Sequence, residues 1–164
     1  MKKRLLLPIL FLSSLFVAEV NANPIRVLFL GHESKHHNSN EYYPMLAKAL
    51  GRDAIYFDYV TSVEAALGDA EYLGKFDALL LYANHPRLTA KQWDNLSNYV
   101  RNGGGFVPVH CASWCFSNVP GFDQLVGGRF KSHKTGTFTA RIIKAKHPAL
   151  AGVKEFDAWD ETYF

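Results

Sequence analysis

Imidazoles and carboxylates gather in short stretches of this chain, and three of those stretches directly follow apolar runs. His32, Glu33, His36 and His37 come after Ile25 to Leu30, Asn84-His85-Pro86 after Ala78 to Ala83, and His110 ends the run from Phe106, with Cys111 and Ser113 beyond it. Neutral imidazole and carboxylate are ordinary ligands of zinc and related divalent ions, which polarise an oxygen or activate water. His32, His110 and His133, with Glu161, form the candidate ligand set, and no HExxH-type spacing fixes which of them meet. His110 carries the strongest individual case, because it stands at a strand end just before a sharp strand-to-helix turn. The competing role for it is a structural histidine bonded to backbone. His36 and His37 read equally well as solvated loop residues, and His85 as a residue stiffened by Pro86.

The two cysteines leave several chemistries open. Cys111 at the start of a helix is a nucleophile if the helix N-terminus favours its thiolate, or else a small buried thiol. Cys115 lies four residues on, the spacing of a strained disulfide or of a weak CxxxC metal pair. Gly103-Gly104-Gly105 precedes a strand and lacks the spacing of a phosphate loop, so it reads as a turn. Gly127-Gly128 lets Arg129, Lys131 and His133 approach a site. There Arg129 and Lys131 are candidates to hold hydroxyls or an anionic group, the alternative being a solvated basic strand. Trp114 and Trp159 offer flat faces of the kind that stack on sugar rings, or simply pack at the rim.

The elements that must position these groups follow from apolar periodicity. Strands are expected at 25–30, 55–60, 78–83 and 106–110, all parallel and internal because their apolar runs leave no solvated face. Helical segments are expected at 42–50, closed by Gly51, at 63–73, and after Thr89, where Gln92 completes a capping box ahead of Trp93, Leu96, Tyr99 and Val100. A further helix starts near Cys111, a helical turn covers 122–126, and a strand covers 137–144. Alternating strands and helices imply a parallel sheet covered on both faces, with ligands bound beyond the carboxyl ends of its strands.

Composition narrows the setting. The 164 residues are 48% hydrophobic and 14% aromatic, with a formal net charge of +3, a folded chain of one domain. Lys2, Lys3 and Arg4, the apolar run from Leu5 to Ala18, and Val20-Asn21-Ala22 read as a secretory signal peptide over residues 1–22, too short in its apolar part to span a bilayer stably. That segment holds three of the 18 basic and one of the 15 acidic side chains, leaving 15 against 14. No basic block remains to displace phosphate counterions, so nucleic acid is excluded as a partner. Periplasmic export is the expected localisation, and redox conditions there permit a disulfide.

Arg26-Val-Leu-Phe-Leu-Gly-His32, His36-His37, Gly103-Gly-Gly-Phe-Val-Pro-Val-His110, Leu125-Val-Gly-Gly-Arg-Phe-Lys131 with His133, His147-Pro-Ala-Leu-Ala-Gly152 and Asp160-Glu-Thr-Tyr163 stand in this order. The series resembles the ThuA-like family of trehalose utilisation. The resemblance implies a flavodoxin-like three-layer α/β sandwich related to the class I glutamine amidotransferases, over residues 25–164. It implies a role in carbohydrate metabolism, with His32, His110, His133 and Glu161 matching the family's common residues. Taken with the residue chemistry above, the expected substrate is a trehalose-type disaccharide or its keto-sugar derivative, with His110, His32 and Glu161 as catalytic residues, Arg129, Lys131 and Trp114 on the sugar, and a divalent ion such as zinc on His32, His110 and His133. A non-catalytic sugar-binding domain is the alternative. The amidotransferase cysteine turn has flanking glycines that Val109-His110-Cys111-Ala112 lacks, so glutamine hydrolysis is not expected. The family pattern continues past its acidic segment, so a domain shortened at its carboxyl end is expected.

Overall fold

The computed structural model describes residues 23–164 apart from residue 145, so the signal-peptide segment 1–22 lies outside the described residues. Four strands, β1 (Ile25–Leu30), β2 (Ile55–Val60), β3 (Ala78–Leu81) and β4 (Gly105–Pro108), form a parallel sheet in the order β2-β1-β3-β4. This is the flavodoxin-like order, in which the chain reverses direction between β1 and β3 and leaves a crevice beyond their carboxyl ends. The crossovers are α1 (Ser39–Leu50), the short pair α2 (Val63–Leu67) and α3 (Ala70–Leu73), and α4 (Ala90–Arg101). A 3-10 turn (His110–Trp114) and α5 (Pro120–Val126) follow β4. The chain then forms an antiparallel pair, β5 (His133–Ala140) and β6 (Phe156–Tyr163).

Period two along the strands sorts residues between the two helical layers. Leu28, Leu30, Leu79 and Leu81 point to one face and are fully buried with Leu67, Leu73, Leu96, Phe116 and Phe122 from the helices. Burying each such side chain contributes about 1.5–3 kcal/mol. Phe29 points the other way, where its ring meets Tyr59 edge-on at 5.2 Å and Tyr43 of α1 at 6.2 Å.

The sequence expectations hold for the parallel sheet and need correction in detail. Only β1 and β3 are internal among the described residues. β2 and β4 flank them, with Tyr56 54% and Val107 46% exposed. The expected 63–73 helix is two helices, because Asp69 accepts from the backbone N–H groups of Glu71 (2.8 Å) and Tyr72 (3.3 Å) and so starts a second one. The capping box at Thr89 and Gln92 is present. Gly51 follows α1 in a right-handed conformation, and the left-handed residue is Ala54, after a further 3-10 turn. The late strand begins at His133, earlier than the pattern suggested, because its partner β6 reaches that far.

Gly31 ends β1 where the chain passes against Tyr59 and Ser39. A Cβ built there falls 2.5 Å from the Tyr59 hydroxyl and 2.6 Å from Ser39 Oγ. Those two groups are bonded to each other at 3.1 Å, and Ser39 Oγ accepts from the His32 N–H at 2.8 Å. Gly31→Ala is therefore expected to lower stability by about 1–3 kcal/mol through overpacking, measured by urea unfolding of the purified chain.

Candidate functional site

The loops that leave β1, β3 and β4 at their carboxyl ends meet the β5–β6 pair above the sheet. Period two places Glu161 and Tyr163 on the same face of β6, and the antiparallel register sets His133 opposite Tyr163 and Thr135 opposite Glu161. That face is turned toward His110, which opens the 3-10 turn after β4. The His110 and Tyr163 rings stack at 4.3 Å, and the Tyr163 hydroxyl lies 3.1 Å from His110 Nε2. The N–H of Lys131 donates to the Phe164 carbonyl at 2.7 Å and so extends the strand pair, and the N–H of Phe130 donates to the Ser113 carbonyl at 3.1 Å and seats it on the turn after β4.

Glu161 is the hub. Its Oε2 lies 3.3 Å from His110 Nε2 and its Oε1 3.7 Å from His133 Nδ1. His37, from the loop after β1, brings its ring edge-on to His110 at 4.7 Å between centroids. One ligand-type atom from each of His37, His110 and Glu161 lies within 4.8 Å of the others. Both histidines have left-handed backbones, φ 56° at His37 and 49° at His110. Such conformations cost of order 1–3 kcal/mol in residues with a side chain and concentrate at functional positions. A cleft of about 530 Å³ opens beside this group, lined in part by Lys35, Asn84, Trp114 and Phe130. A second, of about 570 Å³, lies beyond His37 and Glu161 and includes Tyr42 and Trp159.

Electrostatics follows from burial. Desolvation, reinforced by His110, holds the His37 imidazole below its ordinary pKa, favouring the neutral ring. Desolvation first and Glu161 second push the Tyr163 hydroxyl upward, so it is a proton donor at neutral pH. Burial pushes Cys111 and Cys115 up to about 12. Both are free, buried thiols, and Cys115 Sγ donates to the Ala83 carbonyl at 2.9 Å. The disulfide considered from sequence is thus not formed here, and burial holds both sulfurs toward the neutral thiol.

Of the residues singled out from sequence, His110, His133 and Glu161 come together and Trp114 lines the cleft. His32 does not join them as a ligand. It is 5% exposed, its Nε2 donates to the His37 carbonyl at 2.7 Å, and its Nδ1 accepts from the Asn84 N–H at 3.3 Å. With both ring nitrogens engaged by backbone, His32 is a positioning residue that fixes the His37 loop. Arg129 is likewise committed, since its guanidinium grips the Asp123 carboxylate through Nε (2.8 Å) and a second nitrogen. Lys131 is exposed and lies outside the cleft lining. The basic group at the cleft is instead Lys35. His37 and Lys35 were passed over because a polar loop gives no periodicity to aim side chains. The paired His36-His37 after a strand end was the available signal.

A flavodoxin-like α/β protein with a histidine–carboxylate site at the topological switch of its sheet is thus the class that fold and site define. The chain belongs to the ThuA family, described as trehalose utilisation, which matches residues 26–164. Two solved structures are similar to it, ThuA-like proteins of Bacteroides uniformis and Parabacteroides merdae. Each is 20% identical with a TM-score of 0.70, over 87% and 85% of this chain respectively. The chain spans 62% of the length of each. No functionally curated protein matches the sequence. No helix among the described residues is long and apolar enough to cross a membrane.

Two outcomes are expected. His32→Ala leaves the Asn84 N–H and His37 carbonyl without their partner and is expected to cost about 1–3 kcal/mol, read by urea unfolding. His85, whose Nε2 donates to the Gly31 carbonyl at 2.8 Å, has its pKa lowered chiefly by burial. The unfolded chain therefore binds the proton more readily, and stability is lost as pH falls below the ordinary histidine value, about 6.5. Melting temperature is expected to drop between about pH 7 and about pH 5, with a shallower drop in His85→Gln.

Proposed function

We propose that this chain serves carbohydrate metabolism after export, acting on trehalose-type disaccharides or their keto-sugar derivatives by acid–base chemistry at His110, Glu161 and Tyr163. The observation that carries the reading is the Glu161 carboxylate held between His110 and His133, with the Tyr163 hydroxyl 3.1 Å from His110, at the side of a cleft with aromatic walls. The family description supports the substrate class, and Lys2 to Ala22 support export through their signal-type pattern.

In this reading the Glu161–His110 pair takes a proton from a sugar hydroxyl or from the carbon beside a keto group, and Tyr163 donates to the oxygen on which charge develops. Trp114 and Phe130 supply flat apolar faces for a sugar ring, and Lys35 supplies a donor for its hydroxyls. A sugar-binding role without chemistry is favoured by one observation, the exposed faces of Trp114 and Trp159 on adjoining clefts.

The test is proton exchange. The purified chain is incubated in deuterated water with trehalose and with a keto derivative of it, and deuterium uptake beside the carbonyl is followed by NMR. Uptake is expected with the keto-sugar and is expected to fall by about 10²–10⁴-fold in Glu161→Gln. Sugar binding without exchange would leave the binding role in its place, and failure to bind any sugar would overturn both.

A further inference from the structure

We propose that His37, His110 and Glu161 together bind one first-row divalent transition-metal ion, with Zn²⁺ as the probe; the inference rests on the same site as the carbohydrate reading and adds a cofactor to it. The ligand set differs from the one the sequence suggested. His32 has spent both ring nitrogens on backbone groups, and His37, five residues on, takes the place assigned to it.

Three independent features point to an ion. The first is chemistry, since two imidazoles and one carboxylate are the donor set of open catalytic zinc sites and of facial iron sites. The second is spacing. Atoms held at about 2.0–2.2 Å from a tetrahedral ion stand about 3.3–3.6 Å apart. The His110–Glu161 pair is already at 3.3 Å, and all three donors fit within 4.8 Å, so closure needs side-chain movement of about an ångström. The third is backbone conformation. Four non-glycine residues among those described have positive φ, and two of them are the histidines of this group. Unfavourable conformations from two separate loops thus bring two rings edge-on to one point, with one atom of the Glu161 carboxylate within 4.8 Å of a nitrogen of each.

The surroundings complete the pattern of a supported metal site. Ligands are normally oriented by further hydrogen bonds. Here His133 stands 3.7 Å from the Glu161 oxygen that does not face His110, and His32 holds the His37 carbonyl at 2.7 Å. The group is half-buried and borders the 530 Å³ cleft, so positions left free on the ion are accessible to a sugar hydroxyl or carbonyl.

The full chain, stripped with a chelator and dialysed, is titrated with Zn²⁺ by calorimetry and with Co²⁺ by visible absorption. One ion per chain is expected. His37→Ala, His110→Ala and Glu161→Gln are each expected to weaken binding by at least about 100-fold, since losing even a supporting partner costs about 10–100-fold. His147→Ala, on an exposed turn, is expected to change nothing. Circular dichroism checks folding, and the near-isosteric Glu161→Gln decides the matter if an alanine variant does not fold. Absence of a stoichiometric ion, or binding that survives His110→Ala and Glu161→Gln together, overturns the inference. Deuterium exchange into a keto-sugar by a chain that takes up no ion overturns it while leaving the carbohydrate reading intact. A bound ion with no sugar handled does the reverse.

Discussion

The arrangement above the sheet depends on the buried His32 imidazole. Two loops leave the adjacent strands β1 and β3, and each carries backbone groups that must find partners once they are withdrawn from water. One ring satisfies both, accepting from the Asn84 N–H and donating to the His37 carbonyl. This pairing fits only the tautomer with its proton on Nε2. It fixes the turn that carries His37 in a left-handed conformation, and so sets where the His37 ring lies relative to His110. Ser39 secures the same loop from its far end by bonding the His32 N–H and carbonyl.

How much of this was legible differs by residue. The apolar runs at 25–30 and 78–81 and the Thr89 capping box report their own structure, because burial on both faces and cap geometry are local demands. His110 was legible by position, as a polar residue closing an apolar strand in a fold that binds ligands there. His32 lies apart from the place that reading gave it, and strand periodicity accounts for this. Leu28 and Leu30 face the core, and the next residue in that alternation is His32, which is therefore directed inward and must bond to backbone. Arg129 pairs with Asp123 for a different reason. Its partner Asp123 lies six residues earlier, across the left-handed Gly127 (φ 90°), and only that turn folds the guanidinium back onto α5.

The strand-to-helix turn after β4 decides which side chain meets Tyr163 and Glu161. The strained residue is His110 (φ 49°), whose ring extends to Tyr163 and Glu161, whereas Cys111 is 1% exposed with its thiol pushed up to about 12 by burial. Nucleophilic thiol chemistry requires a thiolate in a polar setting. At this turn the group that faces Tyr163 and Glu161 is an imidazole one residue earlier.

Glu161 reaches the site on a strand pair that belongs to neither layer of the sandwich. The β5–β6 pair meets the main sheet's loops through the Phe130 N–H, which donates to the Ser113 carbonyl, and through the stacking of Tyr163 on His110. The stack, the Tyr163 hydroxyl beside His110 Nε2 and the Glu161–His110 pair all touch the site itself. The position of the carboxylate and the rotamer of His110 are therefore mutually dependent, because moving β6 outward breaks the ring stack and separates His110 from Glu161 in one step. A ligand that engages both groups stabilises the seated strand pair, and one that engages neither leaves its position unchanged. The half-buried carboxylate, with an imidazole beside each oxygen, is thus both the meeting point of the two histidines and part of what keeps β6 in place.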